Sequence, residues 1–179
     1  AAIINFKNKI NNLNEIQDKI TKWSGLKNLD LAKVVSTTNP YRWQESVWVA
    51  KTNSHENSNK TQEKYNIVCL DFGIKKNILR TLKKKKFKVN VLPAQSSFDT
   101  IWSYKPHGIF LSNGPGDPFA TGEYAVPTIK KLLKKEIPIF GICLGHQVLC
   151  LALGAKTKKM FQGHRGSNHP VKNINTNTV

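Results

Sequence analysis

Acid, arginine and sulfur are all scarce in this chain. Of 179 residues, 11 are Asp or Glu, 3 are Arg, 3 are Cys and 1 is Met. Three cysteines, an odd and sparse set, do not make a disulfide framework and fit a reducing, cytoplasmic compartment. No C-x-x-C occurs and the 5 histidines show no metal-ligand spacing, so no metal site is expected. No apolar run approaches the roughly 20 residues that cross a bilayer, and no signal-peptide pattern is present; no membrane partner is expected.

The shortage of acid leaves a net charge of +17. Such a charge first suggests nucleic acid. The base composition of the cations argues the other way: 25 are Lys and only 3 are Arg, yet Arg is the side chain that grips phosphates and base edges bidentately. Abundant Lys, Asn and Ile together read as an AT-rich coding sequence, and no nucleic-acid partner is expected. The run Lys83-Lys84-Lys85-Lys86 falls near the end of a predicted helix, where it complements the macrodipole and is expected to face water.

What is present is an alternation of strands and helices. Residues 67–70, 89–92, 108–111 and 137–142 read as buried strands; 75–86, 97–103, 122–135 and 147–153 read as helical stretches. This order predicts an α/β fold with an open, mostly parallel sheet and flanking helices, whose ligands bind at the carboxyl ends of the strands. Residues 1–50 hold the apolar pair Ile3-Ile4, a helix through Ile16, Ile20 and Trp23, a short helix at 30–35 and a strand at 46–49, too little for a domain of their own. Residues 51–64 are polar and unpatterned and read as an exposed linker, leaving 65–179 as the main domain.

Two loops at predicted strand ends carry chemistry. In Gly141-Ile142-Cys143-Leu144-Gly145-His146-Gln147 a cysteine sits between glycines at a strand-to-helix corner, a cysteine version of the nucleophile elbow. The following helix points its positive end at the sulfur, and the Leu144 N–H is placed to meet an oxyanion. By itself the pattern fits a buried structural cysteine equally well. Cys69, inside a strand, and Cys150, on an apolar helix face, read as core. The second loop, Leu111-Ser112-Asn113-Gly114-Pro115-Gly116-Asp117-Pro118, allows close backbone approach and positive φ; alone it is simply a Gly/Pro turn.

Together the two loops resemble the class I, triad-type glutamine amidotransferases, with their G-x-C-x-G-x-Q nucleophile motif and upstream Gly-Pro-Gly loop. Within that family the chain is most similar to the carbamoyl-phosphate synthetase branch. The carriers are Leu70 to Arg80 (D-F-G-x-K-x-N-I-L-R), the loop 111–118, Phe140 to Gln147, Gly163 to Val171 (G-H-R-G-x-N-H-P-V), and, more loosely, Asp30 to Lys33.

That resemblance implies a fold and a set of roles. Cys143 would be the nucleophile forming a γ-glutamyl thioester. The N–H groups of Leu144 and Gly114 would make the oxyanion hole, and Gly116 and Gln147 would help hold L-glutamine. Residues 1–50 would be the tail of a preceding N-terminal domain. The chain itself would need no cofactor; a large synthetase subunit would be the partner, binding ATP with Mg and consuming bicarbonate and the released ammonia, in pyrimidine and arginine synthesis. The D-F-G-x-K-x-N-I-L-R stretch and the Leu-Ser-Asn start of the loop set the chain apart from the anthranilate synthase and GMP synthetase types; a noncatalytic binding module is the alternative of a different class. The family's H-P-E and Q-N-H-G-F motifs do not occur: His169-Pro170 is followed by Val171. The expectation is a piece lacking both ends of a longer protein, and inactive alone for want of a general base.

Overall fold

The computed structural model describes residues 12–23, 25–56, 63–163 and 169–179. Five strands form one sheet in the order β1-β5-β4-β6-β7. Four of them, β4 (Tyr65–Asp71), β5 (Phe87–Pro93), β6 (Gly108–Leu111) and β7 (Ile139–Gly141), are parallel. Strand β1 (Tyr41–Trp43) closes one edge by pairing antiparallel with β5. The α/β class and the mostly parallel sheet expected from the sequence are therefore present.

Strands covered on both faces read as unbroken apolar runs, and β4 is such a strand. Alternate residues of β4 point to opposite faces. Val68 and Leu70 join Ile109, Leu111, Ile129, Leu132 and Val148 in one core cluster; Cys69 joins Leu79, Val89, Val91 and Phe110 in the other. Helix α3 (Lys76–Lys84) covers the Cys69 face. Helices α4 (Phe98–Ser103), α5 (Pro118–Leu133) and α6 (Leu144–Ala152) cover the Leu70 face. Each fully buried leucine here contributes about 1.5–3 kcal/mol relative to exposure.

The amino-terminal stretch adds α1 (Leu13–Thr21), α2 (Ala32–Val35) and a two-stranded sheet of β2 (Trp48–Val49) and β3 (Ser54–His55). Helix α1 buries none of its residues fully and is capped by Asn12, whose side chain accepts the Asn14 N–H. The pairs Glu15–Lys19 and Asp18–Lys22 stabilise it by a few tenths of a kcal/mol each, of order 0.2–0.5. Residues 28–43, by contrast, lie against the main sheet: β1 is its edge, and Ala32 is buried in its core.

Several local expectations change. Strand β1 carries no alternation and was not expected. The polar stretch 51–64 holds the end of a 3-10 turn (Ala50–Thr52) and β3; its residues 57–62 lie outside the described residues, as does Ile3-Ile4. Helix α5 starts at Pro118, four residues early, because Asp117 caps it through the Phe119 N–H and proline is at home in a first turn. The lysine run does not wholly face water: Lys83 is buried and paired with Glu63, while Lys84, Lys85 and Lys86 are exposed.

Candidate functional site

In chain order the four parallel strands lie 2-1-3-4, so the connections leave β4 in opposite directions, and a crevice opens at the carboxyl ends of β4 and β6. Three turns meet there: 71–75 after β4, 112–117 after β6, and 142–145 after β7.

The turn after β7 is the expected elbow. Cys143 has φ 55° and ψ −113° and directly precedes α6. A non-glycine residue in this region stores about 1–3 kcal/mol, maintained only because the surroundings overdetermine it. They do so through backbone hydrogen bonds: Ile142 N–H to Leu111 O (3.0 Å), Gly145 N–H to Ser112 O (3.0 Å), and Gln147 N–H to Cys143 O (3.1 Å). The two flanking glycines are required by space. A Cβ on Gly145 would stand 2.2 Å from Leu111 O, and one on Gly141 would stand 2.6 Å from the Gly145 carbonyl carbon. The result is an exposed thiol at the amino end of a nine-residue helix.

The turn after β6 is held equally firmly. Gly114 lies against Phe72: an added Cβ would meet Phe72 O at 2.0 Å. Gly116 has φ 103° and rests on the backbone of Leu29 and Leu31. Ser112 Oγ accepts the Phe72 N–H (2.9 Å) and donates to Asn113 O; the Asn113 amide donates to Gly73 O (2.9 Å) and accepts the Lys75 N–H (3.1 Å). Asp71 completes the join. Its Oδ1 accepts the N–H groups of Gly73 and Ile74, and its Oδ2 accepts that of Thr37 (2.8 Å). Asp71, Ser112 and Asn113 thus lock two turns together, a role the sequence reading missed. The available signal was Asp-x-Gly directly after a strand, an Asx-turn pattern.

Among the described residues, neither the Leu144 N–H nor the Gly114 N–H donates to a protein acceptor. Leu144 directly follows the exposed thiol, and Gly114 belongs to the loop that the elbow is bonded to at Ser112; donors so placed suit the stabilisation of a developing oxyanion. Gln147 is exposed on the first turn of α6. His146 is exposed too, and its ring lies 3.7 Å (Nε2) from Cys150 Sγ. Cys150 is therefore half-buried rather than core. Cys69 is core as expected: burial, with the Asp71 charge adding to it, pushes its thiol far above the ordinary range. An apolar hollow of about 430 Å³ between α3 and β7 does not include Cys143 in its walls.

No group of three His, Cys, Asp or Glu able to hold a metal exists among the described residues, and no described helix is long and apolar enough to cross a membrane. The segment 163–171 lies mostly outside the described residues, since 164–168 are among those not described.

The family model of "Glutamine amidotransferase class-I" matches residues 68–179. The chain is 56% identical over 157 residues to the carbamoyl phosphate synthase small chain of Rhizobium meliloti, covering 88% of this chain and 39% of that protein. With the small chains of Agrobacterium fabrum and Bartonella bacilliformis it is 50% and 49% identical over 179 residues, all of this chain and 44% of each of theirs. It thus spans about two fifths of the length of these relatives. The matched stretch holds β6, β7, α6 and both loops that frame Cys143, and on that match the chain belongs to the class I glutamine amidotransferases.

Proposed function

We propose that the protein to which these residues belong hydrolyses L-glutamine at Cys143 and supplies the ammonia to carbamoyl phosphate synthesis by a large synthetase subunit. The observation that carries this reading is the exposed Cys143 thiol on a strained strand-to-helix corner, beside a glycine loop with a free N–H. The identity of about one half to carbamoyl phosphate synthase small chains supports that branch of the family.

The thiolate Sγ attacks the side-chain amide carbon of glutamine. The carbonyl π pair moves onto oxygen, and the N–H groups of Leu144 and Gly114 stabilise that oxyanion. Collapse of the adduct breaks the C–N bond; the amide nitrogen takes a proton and leaves as ammonia, and a γ-glutamyl thioester remains on Cys143. Water then adds to the thioester, releasing glutamate and restoring the thiol. Gly116 and Gln147 hold the substrate. Proton transfer needs an imidazole oriented by a carboxylate, which the H-P-E motif provides in the family and this sequence lacks. The 179 residues alone are accordingly proposed to turn glutamine over little or not at all. ATP with Mg would be bound by the large chain.

The test is Cys143→Ser in the full-length protein with its large chain. Glutamine-dependent synthesis should fall by at least about a thousandfold while synthesis from added ammonia persists. Retained glutamine use in that variant would sink the reading.

A further inference from the structure

The geometry points to residues 28–37 as a strap that positions the loop 114–117, with Asp117 as its latch; this rests on the glutaminase reading above. The strap crosses the carboxyl ends of three strands and is tied at each one. At β5, Ser36 Oγ accepts the Ala94 N–H (2.9 Å). At β4, the Thr37 N–H donates to Asp71 Oδ2. At β6 the tie is reciprocal: the Asn28 N–H donates to Asp117 Oδ2 (2.8 Å), and the Asp117 N–H donates to Leu29 O (2.9 Å).

Gly116 lies next to those two bonds. With no side chain it lets the strap touch the loop backbone, since a Cβ there would stand 2.7 Å from Leu29 O and 2.9 Å from Leu31 N. Gly73 in turn has Val35 of the strap and Pro115 of the loop as neighbours: a Cβ there would meet Val35 Cγ2 at 3.0 Å and Pro115 Cδ at 3.1 Å. The loop is therefore pressed between Phe72, beneath Gly114, and the strap, beneath Gly116. Asp117 has one carboxylate oxygen for each neighbour: Oδ2 for the strap, Oδ1 for the Phe119 N–H at the start of α5. Substrate need not touch Asp117. It acts by fixing where the Gly114 N–H and Gly116 point, so it is a positioning residue. A shift of about 1 Å in such groups can cost a hundredfold in rate.

Asn28 permits a test from the strap side alone. It has φ 62°, a conformation glycine adopts freely and proline cannot. Asn28→Pro removes the latching N–H and forces the strap backbone out of its φ 62° turn, while changing no residue of the loop or of the α5 cap; Asn28→Gly keeps both that N–H and that φ. In the full-length protein, Asp117→Ala and Asn28→Pro should each lower kcat/KM for glutamine at least about tenfold, carried mainly by kcat, because the oxyanion donor counts in the transition state. Asn28→Gly should stay within about twofold of the parent, and the Asp117→Ala/Asn28→Pro pair should be no worse than either single change. Amide hydrogen exchange should quicken in 28–31 and 112–118 and stay unchanged in β4. Asp117→Asn, which keeps one acceptor, replaces Asp117→Ala if the latter does not fold. Full activity in Asn28→Pro, additive losses in the pair, or unchanged exchange in 112–118 would overturn the latch while leaving the glutaminase reading intact. An inactive parent protein would overturn that reading and the latch with it.

Discussion

At the amino ends of the parallel strands polar groups are matched with one another; at the carboxyl ends several are left facing outward under strain. Just before β4, Glu63 lies between Lys83 and Arg42. Asn66 exchanges bonds with His107, its N–H going to His107 Nδ1 and its carbonyl accepting the His107 N–H, while its side chain joins Tyr104 O and Asn90. At the opposite end stand Cys143, with ψ −113°, and two backbone N–H groups without protein acceptors among the described residues; positive φ alone does not separate the ends, since Lys86, Lys105 and Glu136 adopt it shortly before β5, β6 and β7. One end is built for stability and the other retains free donors at a cost in strain, which is where function is expected to reside.

The contrast is sharpest between two thiols of the same sheet. Cys69 is buried in β4, whereas Cys143 is exposed after β7. With a thiol-alkylating reagent and peptide mass analysis, Cys143 should react in the native protein at least about a thousandfold faster than Cys69, which is reached only by opening a core of ordinary stability. Cys150, half-buried, should fall between them. Equal rates at Cys69 and Cys143 would break the comparison.

A second measurement probes the amino end. Burial alone would raise the Glu63 carboxyl, but its hydrogen bond and charge pairing with Lys83, with Arg42 adding to them, outweigh burial and hold it below its ordinary 4.5. The unfolded chain then takes up the proton first. The stabilisation is complete above about pH 4.5 and is lost as pH falls through the lower folded value. Glu63→Ala leaves Lys83 buried without its carboxylate and should cost about 2 kcal/mol in chemical denaturation at neutral pH. Glu63→Gln should flatten the acid limb of the stability profile. An unchanged limb would show that the matched end draws nothing from this pair.

The two ends also differ in how far the sequence discloses them. The strands β4, β5 and β6 were legible because burial on both faces leaves continuous apolar runs. The Cys143 elbow and the Gly114–Gly116 loop were legible only as a pair, through the motifs they share with the class I amidotransferases; taken singly each also fitted an ordinary turn, and the atoms that leave no room at Gly145 and Gly114, Leu111 O and Phe72 O, are distant in sequence. Contacts made across long separations left no such trace. Asn28 and Asp117 meet over 89 positions, and Lys83 looked like one more solvated lysine until Glu63 was seen beside it. Strand β1 escaped because three residues, Tyr41-Arg42-Trp43, are too few to show a period, and only pairing with β5 makes them a strand.

The smallest effect tests the strain itself. If φ 55° and ψ −113° at position 143 are costly to any side chain, replacing Cys143 by Gly should relieve that cost, while Ala should retain it. Glycine brings a penalty of its own, about 0.5–1 kcal/mol of chain entropy in the unfolded state, set against about 1–3 kcal/mol of stored strain. The difference leaves Cys143→Gly more stable than Cys143→Ala by about 1 kcal/mol, read as a shift in denaturation midpoint at constant slope. Both variants lack the thiol, so the comparison isolates backbone from chemistry. A glycine variant less stable than the alanine one would mean that the corner is relaxed. The contrast between a settled amino end and a strained carboxyl end would then rest on the free N–H groups alone.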